Sequence, residues 1–204
     1  MRIGIIACEI LKNEIEALSG DDPGVVHREY LEMGLHDNPE QLRETLIKKV
    51  NELVEKVDIV FVGYAVCKSL ENLPSEIELP VIKLREEDCI GSMLGPIEYA
   101  KEREACPGTW FSSPGWAVLG LDAIVNDEQV RGLEGMGYDK LYFAKRELEG
   151  YSRCLFIDTG GVGWYQEKAR DFAALLGLRF ECRTADIQPI RAAWNKVKTY
   201  ALTP

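Results

Sequence analysis

The chain has 204 residues, 46% hydrophobic and 28% charged, an ordinary globular composition long enough to bury a sizeable core without disulfide staples. Its net charge of −10, with no basic cluster longer than Lys48–Lys49, argues against a nucleic-acid partner. The longest apolar stretch, 57–67, has eleven residues with Asp58 and Gly63 inside it, too short for a membrane-crossing helix, so no membrane partner is expected.

Met1-Arg2 leads straight into IGIIA, a run too short for a secretory core. A cytoplasmic location is therefore expected, where thiols stay reduced and clustered cysteines bind metals or do chemistry. Residues 2–7 read as a strand and 9–18 as a helix with Leu11, Ile15 and Leu18 on one face. The run 19–24, SGDDPG, is a loop, and 25–31 reads as a short strand. Asn38-Pro39 opens a helix whose stripe is Leu42, Leu46, Val50, Leu53 and Val57. Residues 58–66 form a buried strand and 80–84 another. Asp88 reads as the cap of a helix over 89–103.

Beyond the turn Cys106-Pro107-Gly108, residues 109–112 suggest a short strand and 114–126 a helix. Glycines crowd 130–151, with a partial helix near 140–148. A strand over 154–158, a helix over 164–176, a strand over 179–183 and a helix over 187–200 complete the chain. Strands alternating with helices predict an α/β fold. The expected form is one open, mainly parallel sheet of four to six strands with helices on both faces. A single domain over 1–204 is expected, with 151–204 as a terminal unit inside it.

Three cysteines, Cys8, Cys67 and Cys89, each fall where a strand-like run ends and a helix-like run begins. In a parallel sheet all such junctions lie along the carboxyl edge of the strands, so three distant thiols could meet there. Helix starts stabilise thiolates, and metals need the deprotonated sulfur. Three thiolates could hold zinc with an open fourth position, or three irons of a cubane cluster. Cys154 and Cys182, inside apolar strands, read as structural.

His36, in a pre-helix loop, is the better placed of the two histidines for a fourth ligand or a proton. Asp88 and Glu9 are candidates for groups that support the thiols or handle protons. The loop 158–163, DTGGVG, could cradle a phosphate or carboxylate through Gly160, Gly161 and Gly163, although it matches neither GxGxxG nor a Walker loop. Ser92 could bond an anion beside Cys89, and Trp116 could stack on a flat ligand.

The segments IIAC-E-IL-K-EIEAL (5–18), LH-x-x-P-x-x-L (35–42), GY-x-x-C (63–67), DCI-x-x-x-LG (88–95) and T-x-x-x-x-PGW (109–116) resemble the prokaryotic family called "domain of unknown function 1638". The late Asp158-Thr159-Gly160 also fits. The motif positions that match are Cys8, Glu9, His36, Cys67, Asp88, Cys89 and Trp116. The resemblance implies a protein of anaerobic bacteria and methanogenic archaea. It also implies a setting beside corrinoid-dependent methyl transfer, with corrinoid or methyltransferase proteins as partners. Three functional expectations stand together. The first is a zinc or iron–sulfur protein built on Cys8, Cys67 and Cys89, serving a small-molecule ligand in one-carbon metabolism. The second is a metal-free enzyme with Cys89 as nucleophile. The third is a non-catalytic small-ligand-binding domain.

Overall fold

The computed structural model describes residues 1–65, 70 and 76–200, except for the side chains of residues 36, 37 and 134. In chain order the elements are β1 (Ile3–Cys8), α1 (Lys12–Ser19), β2 (Val25–Leu31), α2 (Pro39–Asn51), β3 (Ile59–Gly63), β4 (Val81–Lys83), α3 (Cys89–Leu94) and α4 (Pro96–Ala105). There follow β5 (Thr109–Ser112), α5 (Pro114–Leu119), α6 (Asp127–Val130), α7 (Lys140–Glu147), β6 (Arg153–Asp158), α8 (Trp164–Leu176), β7 (Arg179–Thr184) and α9 (Gln188–Thr199). The fold is α/β. Among the described residues no helix is long and apolar enough to cross a membrane.

The strands do not join one sheet. They divide into a four-stranded sheet of order β2-β1-β3-β4 and a three-stranded sheet of order β5-β6-β7, with every pairing parallel. The chain splits into two compact units. The first holds residues 1–96 and 186–204, and the second holds 97–185.

In the first unit, β1 and β3 are buried along their whole length. That is why they read as continuous apolar runs: both faces of a central parallel strand are covered. One face carries Phe61, met edge-on by Trp194 of α9 at 5.9 Å. On that same face Gly63 lies so close to its neighbours that an added Cβ would sit 2.5 Å from Ala7 Cβ and 2.6 Å from Ile15 Cδ1. The opposite face receives Leu53 and Val57 against Gly4. These two close the predicted stripe of α2 although the helix ends at Asn51, and Glu55 between them takes a left-handed φ of 67°. At the other end of α2, Asn38 accepts the Gln41 N–H at 3.1 Å and Pro39 takes the first turn, as the sequence predicts.

The helix expected over 89–103 is two helices. Gly95, at φ 82°, turns the backbone out of helical space, and Pro96 starts α4 afresh. In the second unit, α5 and α8 cover one face of the sheet through Ala117, Phe156 and Ala169. The other face, on which Leu155 and Ile157 are buried, also carries a network of charges. Arg153 is 5% exposed, pairs with Glu102 at 2.8 Å and Glu181 at 3.2 Å, and donates to Thr109 Oγ1 at 2.9 Å. Arg183 adds ion pairs to Glu98 and Glu102. Thus α4, which buries none of its own residues, is tied down by its carboxylates.

Candidate functional site

The order β2-β1-β3-β4 contains one reversal. From β1 the chain moves to β2 on one side, then crosses through α2 to β3 on the other. In open parallel sheets the crevice outside the carboxyl ends of the two strands flanking such a reversal is where ligands bind. Here those strands are β1 and β3.

Cys8 is the last residue of β1 and is buried. Glu9 begins a 3-10 turn, Glu9–Leu11, and its carboxylate accepts the Met33 N–H at 2.7 Å. That bond ties the end of β1 to a second 3-10 turn, Met33–Asp37, which follows β2 and carries His36. The His36 side chain lies outside the described residues. β3 ends at Gly63, followed by buried Tyr64 and Ala65. Cys67, two residues further on, lies outside the described residues.

β4 leads through buried Leu84 to Asp88, whose carboxylate accepts the Gly91 N–H at 2.8 Å and caps α3. Cys89 is the first residue of α3 and is half-buried. With only six residues, α3 supplies a weaker field to Cys89 than the long helix expected there. Ser92 is fully buried and donates its hydroxyl proton to the Asp88 carbonyl at 2.9 Å, so it braces the helix start. Glu9 and Asp88, expected as proton-handling groups, both use a carboxylate oxygen to hold backbone. Among the described residues no three His, Cys, Asp or Glu side chains form a metal-holding group.

The remaining candidates lie on the second unit. Gly160, Gly161 and Gly163 form the exposed loop from β6 to α8, with φ of 90° at Gly160 and 122° at Gly161. Asp158 closes the loop by accepting the Gly160 N–H at 3.0 Å. Trp116 meets Trp110 edge-on at 5.8 Å, and Trp110 in turn lies 5.6 Å from Phe172, so Trp116 extends an aromatic layer over the sheet. The order β5-β6-β7 has no reversal.

Three other cysteines sort by surroundings. Burial pushes the Cys154 thiol up to about 12, which makes it inert at neutral pH. Cys182, expected inside a strand core, is exposed because β7 is an edge strand. Cys106 is held below the ordinary thiol range by hydrogen bonds from Ser152 and Thr109, with Arg153 and Arg179 nearby. Sequence reasoning passed over Glu14 and Lys83. Glu14 is 1% exposed, and its signal was legible: it occupies an apolar-stripe position, three residues after Leu11. Lys83, the last residue of β4, is half-buried and donates to the Leu70 carbonyl.

The family model described as "Protein of unknown function (DUF1638)" matches residues 30–194. That span includes His36, Cys67, Asp88, Cys89, Trp116 and the glycine loop, and leaves Cys8 and Glu9 outside it. No curated protein matches the chain.

Proposed function

The chain belongs to the DUF1638 family, and we propose that it holds a metal ion or iron–sulfur cluster on Cys8, Cys67 and Cys89 at the carboxyl edge of its first sheet. The observation that carries this reading is the strand order. Cys8 ends β1 at the reversal, and Cys67 and Cys89 follow β3 and β4, the next two strands of the same parallel sheet. Three thiolates suit zinc or iron, and His36, on the turn that Glu9 ties to the end of β1, is the proposed fourth ligand or proton carrier. The group held there would serve a small-molecule ligand in a cytoplasmic reaction of one-carbon metabolism.

The test is metal and sulfide analysis of oxygen-free protein, with Cys8→Ser, Cys67→Ser and Cys89→Ser beside it. Near-stoichiometric zinc or iron, lost together in all three variants, is the expected result. Folded wild-type protein without metal, its thiols fully titratable, would end the reading. In that case Cys89 as a lone nucleophile becomes the leading alternative, since it is half-exposed at the start of a capped turn. Selective alkylation of Cys89 at neutral pH tests it. The corrinoid and methyltransferase partners rest on the family resemblance, and titration with a corrinoid, followed by its visible spectrum, tests them.

A further inference from the structure

Among the described residues the two sheets present four edge strands, β2, β4, β5 and β7. β4 and β5 have three and four residues, and the register of β2 on β1 shifts between Ile3 and Gly4. Short strands and irregular pairing blunt an edge against joining another strand. β7 has neither device: its six residues run in unbroken register with β6. The Arg179 N–H donates to the Ser152 carbonyl at 3.0 Å and the Ala185 N–H to the Asp158 carbonyl at 2.8 Å, so the odd-numbered residues turn their backbone groups toward β6. The N–H and C=O groups of Phe180, Cys182 and Thr184 therefore point out of the sheet. Among the described residues no strand pairs with them, and Cys182 and Thr184 are exposed.

A second copy of β7, running antiparallel, meets these groups only where even-numbered residues stand opposite even-numbered ones. Two such registers pair five of the six strand residues. In one, Glu181 faces the second copy's Glu181 and Arg179 faces its Arg183, like charge on like, which is destabilising. In the other, Cys182 faces Cys182, Phe180 faces Thr184, and Glu181 faces Arg183 on both sides of the centre. Opposite charges directly across a strand pair are favourable. The Glu181 and Arg183 side chains are 36% and 33% exposed, so each keeps a solvent side beyond its bonds within the chain.

We propose that the chain forms a symmetric dimer by pairing β7 antiparallel with β7 of a second copy. Cys182 lies on the two-fold axis with a Glu181–Arg183 pair on either side, and the two three-stranded sheets join into one. The inference concerns the second unit and does not depend on the metal reading.

The test is sedimentation of the full chain in reducing buffer with a chelator, which removes disulfide and metal bridges, beside Cys182→Pro, Cys182→Ser and Glu181→Gln. Wild type should sediment as a dimer. Cys182→Pro lacks an N–H that the second copy needs and the β6–β7 ladder does not, so a folded monomer is expected. Cys182→Ser keeps that N–H and should stay dimeric. Glu181→Gln removes both cross-strand pairs and should weaken the dimer about 2- to 30-fold. A short bis-maleimide should link wild-type chains in pairs, and Cys182→Ser should lose that product. Wild type still monomeric at about 1 mM overturns the inference. So does a dimer that survives Cys182→Pro, or one that crosslinks equally without Cys182. Unchanged affinity in Glu181→Gln overturns the register. Should Cys182→Pro fail to fold, Thr184→Pro, whose N–H also points outward, replaces it.

Discussion

The two sheets present carboxyl edges of opposite character. The edge of the first is crowded: Cys8, Glu9, Asp88 and Cys89 all lie on the turns that leave its strands, and the turn bearing His36 is bonded to it. The edge of the second offers a glycine loop closed by Asp158, and the aromatic layer around Trp110 lies over its sheet rather than at that edge. Topology accounts for the contrast. Strand order reverses between β1 and β3, the kind of position where open parallel sheets bind ligands, whereas β5-β6-β7 runs one way. A strand-to-helix glycine loop occurs at the second edge without such a reversal, and the first edge has the reversal.

The strongest way to break this comparison is to cripple both edges. Cys8→Ser and Cys67→Ser should abolish metal binding, while Gly161→Ala, despite a strain of about 1–3 kcal/mol at its left-handed φ, should leave metal content unchanged. Metal analysis with a melting curve for each variant decides it. Metal loss in Gly161→Ala equal to that in the cysteine variants would move the site to the second edge.

The sheets also differ in how they are covered, and this ranks the next two effects. Arg153→Met removes the cation from a pair whose side chains are 6% and 16% exposed, leaving Glu102 with Arg183 alone on that face. A loss of about 3–5 kcal/mol in urea unfolding is expected, since stranding a buried charge costs more than the pair contributes. A loss below about 1 kcal/mol would show the network to be solvated like an ordinary surface pair. In the first unit the corresponding weak point is apolar. Gly63→Ala drives a methyl into Ala7 and Ile15, and should cost about 1–3 kcal/mol by the same measurement. No loss would mean that α1 can slide away from β3.

Local signals in the sequence carried local structure well. The cap Asn38-Pro39 starts α2, and the helix read over 164–176 matches α8 end to end. What the sequence left open depends on partners far along the chain. An apolar run says that a strand is buried in a sheet but not in which sheet, so one sheet was expected where two formed. Likewise Cys182 sits among strand-like residues, and only the pairing of β7 on one side explains its exposure. Gly95-Pro96 was a visible break inside the helix expected over 89–103. Cys8, Asp88 and Cys89 were legible as junction residues because βα turns can be read locally. The bond from Lys83 was not, because it reaches a carbonyl 13 residues away.

The smallest effect separates the sheets by pH. Burial raises the Glu102 carboxyl, but its bonds to Arg183 and Arg153 more than offset this and hold it below its ordinary 4.5. Glu98, bonded to Lys101 and Arg183, is lowered as well. A carboxylate whose folded value is depressed adds stability that is complete above its unfolded value and is lost as pH falls through the folded one. The carboxylate contribution of the second unit should therefore be intact at pH 6 and decline below about pH 4.5, where the unfolded chain begins to take up protons first. Urea midpoints taken across that window should fall less steeply with pH in Glu102→Gln than in wild type, because the variant has no such proton to bind. Parallel slopes would mean that acid acts elsewhere. The comparison would then shift to the first unit, where the Asp22 carboxyl is lowered by its bond to Lys198 at the far end of the chain.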